Sequence, residues 1–165
     1  MIKAFRPLFF IFVILLFAAC GTPKTILTRQ SVAMPKREFR GAWIQTVGQS
    51  RYQHMNSAAM KHYFSEMVRK LDEAGINAVI FQVRPEADAF YKSELEPWSR
   101  FLTGVQGKAP DDPSFDPLAF MIEECHRRGM ELHAWLNPYR VKTNISNRLA
   151  GGHIYERYPE RFVQY

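Results

Sequence analysis

An α/β domain, a parallel sheet wrapped by helices, is the fold predicted by this 165-residue sequence, and three features point to it. Short runs rich in β-branched and aromatic residues alternate with segments whose apolar residues recur every three or four positions. A helix–Gly–strand–Pro unit occurs twice, with Gly75 and Gly129 in matching places. The strands are apolar almost throughout, as strands covered on both faces are.

The first strand is Arg40-Gly41-Ala42-Trp43-Ile44-Gln45-Thr46-Val47, ended by Gly48-Gln49-Ser50. Asn56 or Ser57 can cap a helix running to about Ala74, with Met60, Tyr63, Phe64, Met67, Val68 and Leu71 as its stripe and Gly75 as its stop. A second strand over 77–84 is halted by Pro85. The polar and aromatic loop that follows, 86–115, far exceeds the roughly 2–6 residues usual for such a connection. Asp116-Pro117 opens the next helix, Asp as the cap and Pro at the first helical position. Leu118, Met121, Ile122 and Cys125 form its stripe, and Gly129 ends it. The third strand, 130–137, is halted by Pro138, and Gly151-Gly152-His153 reads as a flexible turn.

The N-terminal end reads differently. Lys3 and Arg6 precede an unbroken apolar run, Leu8 to Phe17, which at about 1.5 Å per residue covers roughly half of a ~30 Å hydrocarbon core. A basic start, a short apolar run and small residues before a break describe a secretory signal over residues 1–19. Leu16-Phe17-Ala18-Ala19-Cys20 resembles a bacterial lipobox, with Phe17 where Leu is more usual. Lipidation of Cys20 would anchor the chain to a membrane of the bacterial envelope without a spanning helix, at the outer membrane or the periplasmic face. Residues 20–36 then form a tether, and the folded domain begins near residue 37.

The net charge of +6 sits at that end of the chain. Residues 41–165 carry fifteen basic and fifteen acidic side chains, so the folded part is neutral. A nucleic-acid partner, which needs a basic folded surface, is therefore not expected. Cys125 is the one cysteine besides Cys20, and it falls on a buried helical stripe, where a small core residue is expected.

Polar residues of one parity gather toward the C-terminal ends of the strands: Gln82 and Arg84 on the second, His133 and Asn137 on the third, with Arg140 just beyond. In a parallel barrel one parity faces the interior, and function gathers at the strand C-termini and the loops after them. Polar side chains there are costly unless bonded to one another or to a ligand. The loop after the second strand adds Glu86, Asp88, Tyr91, Glu94, Glu96 and Trp98, and the end of the third adds Trp135 and Tyr139. Aromatic faces that cover the C–H side of a sugar, beside groups that bond its hydroxyls, suit a carbohydrate site. Glu86 and Asp88 are the acids placed just after a strand, and as an i, i+2 pair they read first as solvated loop acids. No HExxH, paired Cys/His spacing, GxGxxG, P-loop or serine elbow is present, so neither a metal nor a cofactor is expected.

Longer motifs carry a resemblance. Phe39-Arg40-Gly41-Ala42-Trp43 and Gly75-Ile76-Asn77-Ala78-Val79-Ile80-Phe81-Gln82-Val83-Arg84-Pro85 open it; Asp88-Ala89-Phe90-Tyr91, Glu96-Pro97-Trp98-Ser99, Leu102-Thr103-Gly104, Gln106-Gly107 and Asp116-Pro117-Leu118-Ala119-Phe120 continue it. Gly129-Met130-Glu131-Leu132-His133-Ala134-Trp135-Leu136-Asn137-Pro138-Tyr139-Arg140 closes it. From about residue 37 onward the sequence resembles the glycosyl hydrolase-like 10 family, formerly a DUF187 domain. The resemblance implies a bacterial envelope protein, often a lipoprotein, whose (β/α)₈ TIM barrel hydrolyses glycosidic bonds.

A complete barrel of this kind takes about 250 residues, so the first three strand–helix units of a barrel are expected here, 37–165 forming its N-terminal part. The resemblance places the principal catalytic acid at the end of a later strand, beyond Tyr165, leaving the catalytic residues unassigned and the fragment by itself inactive. Gln82, Arg84, Asp88, Trp98, His133, Trp135, Asn137, Tyr139 and Arg140 are the expected contacts to a polysaccharide substrate. Peptidoglycan glycan is the polymer beside an envelope lipoprotein. A non-catalytic carbohydrate-binding lipoprotein is the alternative.

Overall fold

The computed structural model describes residues 38–144 and 146–163. The expected export signal, Cys20 and the tether lie outside the described residues.

Three parallel strands form one sheet in the order β1-β2-β3: β1 is Gly41–Ile44, β2 Ala78–Arg84 and β3 Glu131–Leu136. Each strand is reached from the last through a helix. The Asn56 side chain accepts from the Ala59 N–H and starts α1, Ser57–Glu73. Gly75, at φ +78°, ends that helix in the left-handed conformation that a residue without Cβ adopts freely. Asp116 caps α3, Pro117–His126, by accepting from Ala119 N–H, and Gly129 repeats the left-handed stop at φ +69°. The repeated unit of the sequence is thus a repeated unit of structure. Among the described residues there are also two short helices, α2 at Arg100–Thr103 and α4 at Ile154–Arg157, with 3-10 turns at Ser50–His54 and Pro159–Arg161.

The first strand is shorter than its β-branched run suggests. Beyond Ile44 the backbone turns away from the ladder, and Gln82 rather than a strand neighbour receives the next amides: Thr46 N at 2.9 Å and Val47 N at 3.2 Å.

One side of the sheet faces the helices. Ile44, Val79, Phe81 and Val83 pack there with Phe64 and Val68 of α1 and with Met121 and Cys125 of α3. Tyr52, Phe64, Phe81 and Phe90 meet edge to face at centroid distances from 5.6 to 6.3 Å, the arrangement aromatic quadrupoles favour. Burying each such ring contributes about 1.5–3 kcal/mol, and this layer is where the domain is held together. Cys125 belongs to it, as the helical stripe predicts, and burial pushes its thiol up to about 11.

The register sets out the other side. Trp43 lies beside Ile80 and Ile80 beside His133, while Gln82 lies beside Trp135. Trp43 meets Trp135 edge on at 4.7 Å and Phe39 meets His133 at 5.6 Å, and Trp43 remains 61% exposed. After Gln82 the ladder slips: Arg84 pairs with Leu136, leaving Val83 as an extra residue in β2. The expected single parity of Gln82 and Arg84 is broken by that bulge.

Candidate functional site

The C-terminal ends of β2 and β3 bring together a compact polar group. Arg84 is its centre. Its Nε donates to Glu96 Oε1 at 2.6 Å, its Nη2 pairs with the same carboxylate, and its Nη1 donates to the Asn137 carbonyl at 2.5 Å. Asn137 returns two bonds, N to the Arg84 carbonyl at 2.9 Å and Nδ2 to the Pro85 carbonyl at 3.3 Å. Charge-assisted bonds of this kind are the stronger ones, and the pair is largely screened from water, so the two strand ends are fixed to one another. Tyr91 stands close by: burial and then the Glu96 charge raise its phenol above the ordinary range.

The loop after β2 turns back under the sheet at Ala87, a non-glycine residue at φ +50°. That turn points Glu86 and Asp88 inward, and both are 0% exposed. Glu86 faces Arg100 of α2, Oε2 to Nη2 at 2.7 Å. The approach is out of line for a hydrogen bond, so both Glu86 oxygens, with Arg100 Nε and Nη2, hold charge contact without a hydrogen-bond partner among the described residues. Asp88 accepts from Gln106 Nε2 at 2.9 Å and from Glu86 N at 3.1 Å. Burial raises its pKa, and those two bonds only partly offset the effect. The expectation that Glu86 and Asp88 are solvated loop acids is therefore corrected. Their partners come from elements that spacing along the chain does not connect.

The nine residues expected to meet substrate divide sharply. Gln82 is buried, and its Oε1 is occupied by Thr46 N, Thr46 Oγ1 and Val47 N; Asp88 is enclosed by Gln106 and Glu86. In this arrangement both hold loops in place and neither has surface to offer. Arg84 and Asn137 are committed to each other and to Glu96. Trp98 is half-buried, its carbonyl bonded by Gly107 N at 2.8 Å and its neighbours tied to Ala89. His133 is exposed beside Glu131, Nε2 to Oε2 at 3.0 Å, and Trp135 is half-buried against Trp43. Tyr139 is 91% exposed and Arg140 is exposed, with no hydrogen bond or ion pair to a described residue.

Arg100, Gln106 and His153 are the participants that spacing did not reveal, and Glu96 stood out only as one of several loop acids. His153, expected in a flexible turn, is fully buried, with Nε2 on the Glu86 carbonyl at 2.8 Å and Nδ1 accepting from Tyr155 N at 3.1 Å. A signal existed in the family motifs for Glu96, which lies in Glu96-Pro97-Trp98-Ser99, and for Gln106, in Gln106-Gly107; none existed for His153. No group of three or more His, Cys, Asp or Glu among the described residues is placed to hold a metal ion.

Residues 38–164 match the family described as glycosyl hydrolase-like 10. The chain belongs to that family. Its curated relatives include glycosyl hydrolase YngK of Bacillus subtilis, 44% identical over 138 residues, covering 81% of this chain and 26% of that protein. Glycosyl hydrolase DigH of Escherichia coli K12 is 35% identical over 158 residues, covering 84% of this chain and 35% of that protein. The chain thus spans about a quarter to a third of the length of these relatives. The family motifs Arg84-Pro85 and Asn137-Pro138-Tyr139-Arg140 lie where β2 and β3 end.

Proposed function

We propose that the protein acts on the glycosidic bonds of a polysaccharide, and that this chain supplies part of the substrate-binding rim of a (β/α)₈ barrel. The observation that carries the reading is the exposed pair Tyr139 and Arg140 just beyond the C-terminal end of a parallel strand, with half-buried Trp135 next to last in that strand. A tyrosine face and a guanidinium with no hydrogen bond or ion pair to a described residue offer what a sugar ring needs, an apolar plate and a bidentate donor. Consecutive parallel strands joined through helices on one side support the barrel.

Hydrolysis requires two carboxyl groups flanking the scissile bond. The acids nearest the rim do not form such a pair: Glu86 and Asp88 are enclosed, and Glu96 is bound by Arg84. This favours catalytic acids supplied from outside the described residues, and it is also the one observation that favours the second reading, a carbohydrate binder without chemistry. The lipobox-like Leu16-Phe17-Ala18-Ala19-Cys20 supports attachment through lipidated Cys20 to a membrane of the bacterial envelope, where peptidoglycan glycan is the adjacent polymer. The test is release of reducing ends by the whole protein from a panel of cell-wall and plant glycans, with retention on the same glycans immobilised. Release supports hydrolysis; retention without release supports the binder; neither contradicts both.

A further inference from the structure

The chain that carries Tyr139 and Arg140 is tied down at two ends. At the near end, Asn137 is bonded to Arg84 and Pro85 as described above. At the far end, Ala150 N donates to Gln106 Oε1 at 3.0 Å, and Gln106 Nε2 donates to Asp88 Oδ2 at 2.9 Å. His153 N donates to the Ala150 carbonyl at 3.1 Å, and the buried His153 ring reaches the Glu86 carbonyl. Between the two anchors the chain makes local turns around Asn144, and Lys142 Nζ lies over the Tyr155 ring of α4 at 5.2 Å.

The His153 ring has one arrangement that satisfies both contacts. A carbonyl oxygen can only accept and an amide N–H can only donate, so Nε2 carries the proton and Nδ1 carries the lone pair. One side chain therefore caps α4 and fastens it to the loop after β2. Such a largely buried polar set is costly unless its bonds are made, which favours a single geometry.

We propose that Asp88, Gln106 and His153 are positioning residues: together they form a clasp that holds the chain after β3 against the loop after β2, and so fix Tyr139 and Arg140 at the rim. The proposal rests on the reading of Tyr139 and Arg140 as carbohydrate contacts. It assigns a role to three buried polar residues that touch no substrate themselves. It also explains why a loop with exposed contents closes on a buried histidine: the exposed residues keep a defined place while their own side chains stay free.

The experiment is backbone hydrogen exchange of the whole protein, read segment by segment, with His153→Phe, His153→Gln and His153→Asn compared. Phe fills the space and makes neither bond. Gln can reach the Glu86 carbonyl, and Asn can still cap α4. In His153→Phe, exchange across 138–150 is expected to rise about tenfold, the scale of one lost buried hydrogen bond, with the three strands unchanged. His153→Gln should restore most of the protection and His153→Asn should not. Gln106→Met, which removes the Ala150 acceptor, provides the same reading should His153→Phe fail to fold. Unchanged exchange in both variants overturns the proposal.

Glycan binding then separates the two layers. On soluble peptidoglycan glycan strands, the clasp variants should weaken binding or raise KM with kcat retained, since a displaced contact costs affinity rather than chemistry. That loss should vanish in a Tyr139→Ala Arg140→Ala background. If Tyr139→Ala Arg140→Ala leaves binding untouched, the reading of the site is wrong; if it weakens binding and the clasp variants do not, the positioning role is wrong.

Discussion

Two stretches of chain leave the same edge of the sheet and have opposite characters. After β2, Glu86 to Phe90 turns inward and is buried throughout, with its carboxylates facing Arg100 and Gln106. After β3, Pro138 to Arg140 runs outward and is exposed, with Tyr139 and Arg140 making no hydrogen bond or ion pair to a described residue. Both stretches begin with a polar residue, a proline and further polar or aromatic groups, so their sequences advertise the same thing. The difference teaches that polar side chains at a strand end can be construction or function. Burial and the presence of internal partners distinguish them.

The sharpest way to break that comparison is at Arg100. Its removal leaves the Glu86 carboxylate enclosed and uncompensated, so Arg100→Met should cost about 3–5 kcal/mol of stability in urea unfolding. Replacing both partners, Glu86→Gln with Arg100→Met, should recover most of that loss. An Arg100→Met protein as stable as the parent would show that Glu86 is not held as described.

A smaller effect is expected at Gln82. Gln82→Leu strips the acceptor from Thr46 N and Val47 N, and each donor left dry costs about 1–3 kcal/mol, lowering the melting temperature. An unchanged melting temperature would return Gln82 to the set of ligand contacts.

Smaller again is the pH response of two aspartates. Burial raises the Asp88 pKa above its ordinary 3.8, so the folded state holds its proton more tightly. Its contribution to stability is full below that ordinary value and is lost as pH rises through the raised one. Asp112 runs the other way. Bonds from Ser114 and Lys61 lower its pKa, so its contribution is present above the ordinary value and is lost as pH falls through the lowered one. Asp88→Asn should therefore remove a decline in stability on the alkaline side of 3.8, and Asp112→Asn should leave that decline in place. Melting temperatures across the acid range read both.

The smallest stability effect belongs to the outward stretch. Tyr139→Ala and Arg140→Ala should shift unfolding by less than about 0.5 kcal/mol, because exposed side chains without partners are tolerated. Their expected effect is on carbohydrate binding instead.

Much of this architecture is legible in the sequence. The stripe from Met60 to Leu71, the cap at Asp116 and the paired stops at Gly75 and Gly129 are local signals, and local signals fix α1, α3 and the strand that follows each. Two of the family motifs run through the C-terminal ends of β2 and β3. Bonds between distant residues stay hidden: His153 meets Glu86 across 67 positions and Gln106 meets Asp88 across 18. Neither periodicity nor capping chemistry encodes such pairs. The same blindness groups Gln82 and Asp88 with Tyr139 as expected contacts, although their surroundings differ completely. A turn of non-glycine residues at Ala87 gives no warning that two carboxylates are carried inward.

The most direct measurement sets the two stretches against each other in the whole protein. Binding to soluble peptidoglycan glycan strands and thermal unfolding are recorded for Tyr139→Ala Arg140→Ala and for Gln82→Leu. The predicted result is a loss of affinity of about tenfold or more with an unchanged melting temperature for the first, the behaviour of exposed binding residues. For the second it is a lowered melting temperature with affinity retained in the folded fraction. Full affinity in the first variant, or lost affinity at an unchanged melting temperature in the second, would contradict the division between a built loop and a binding loop.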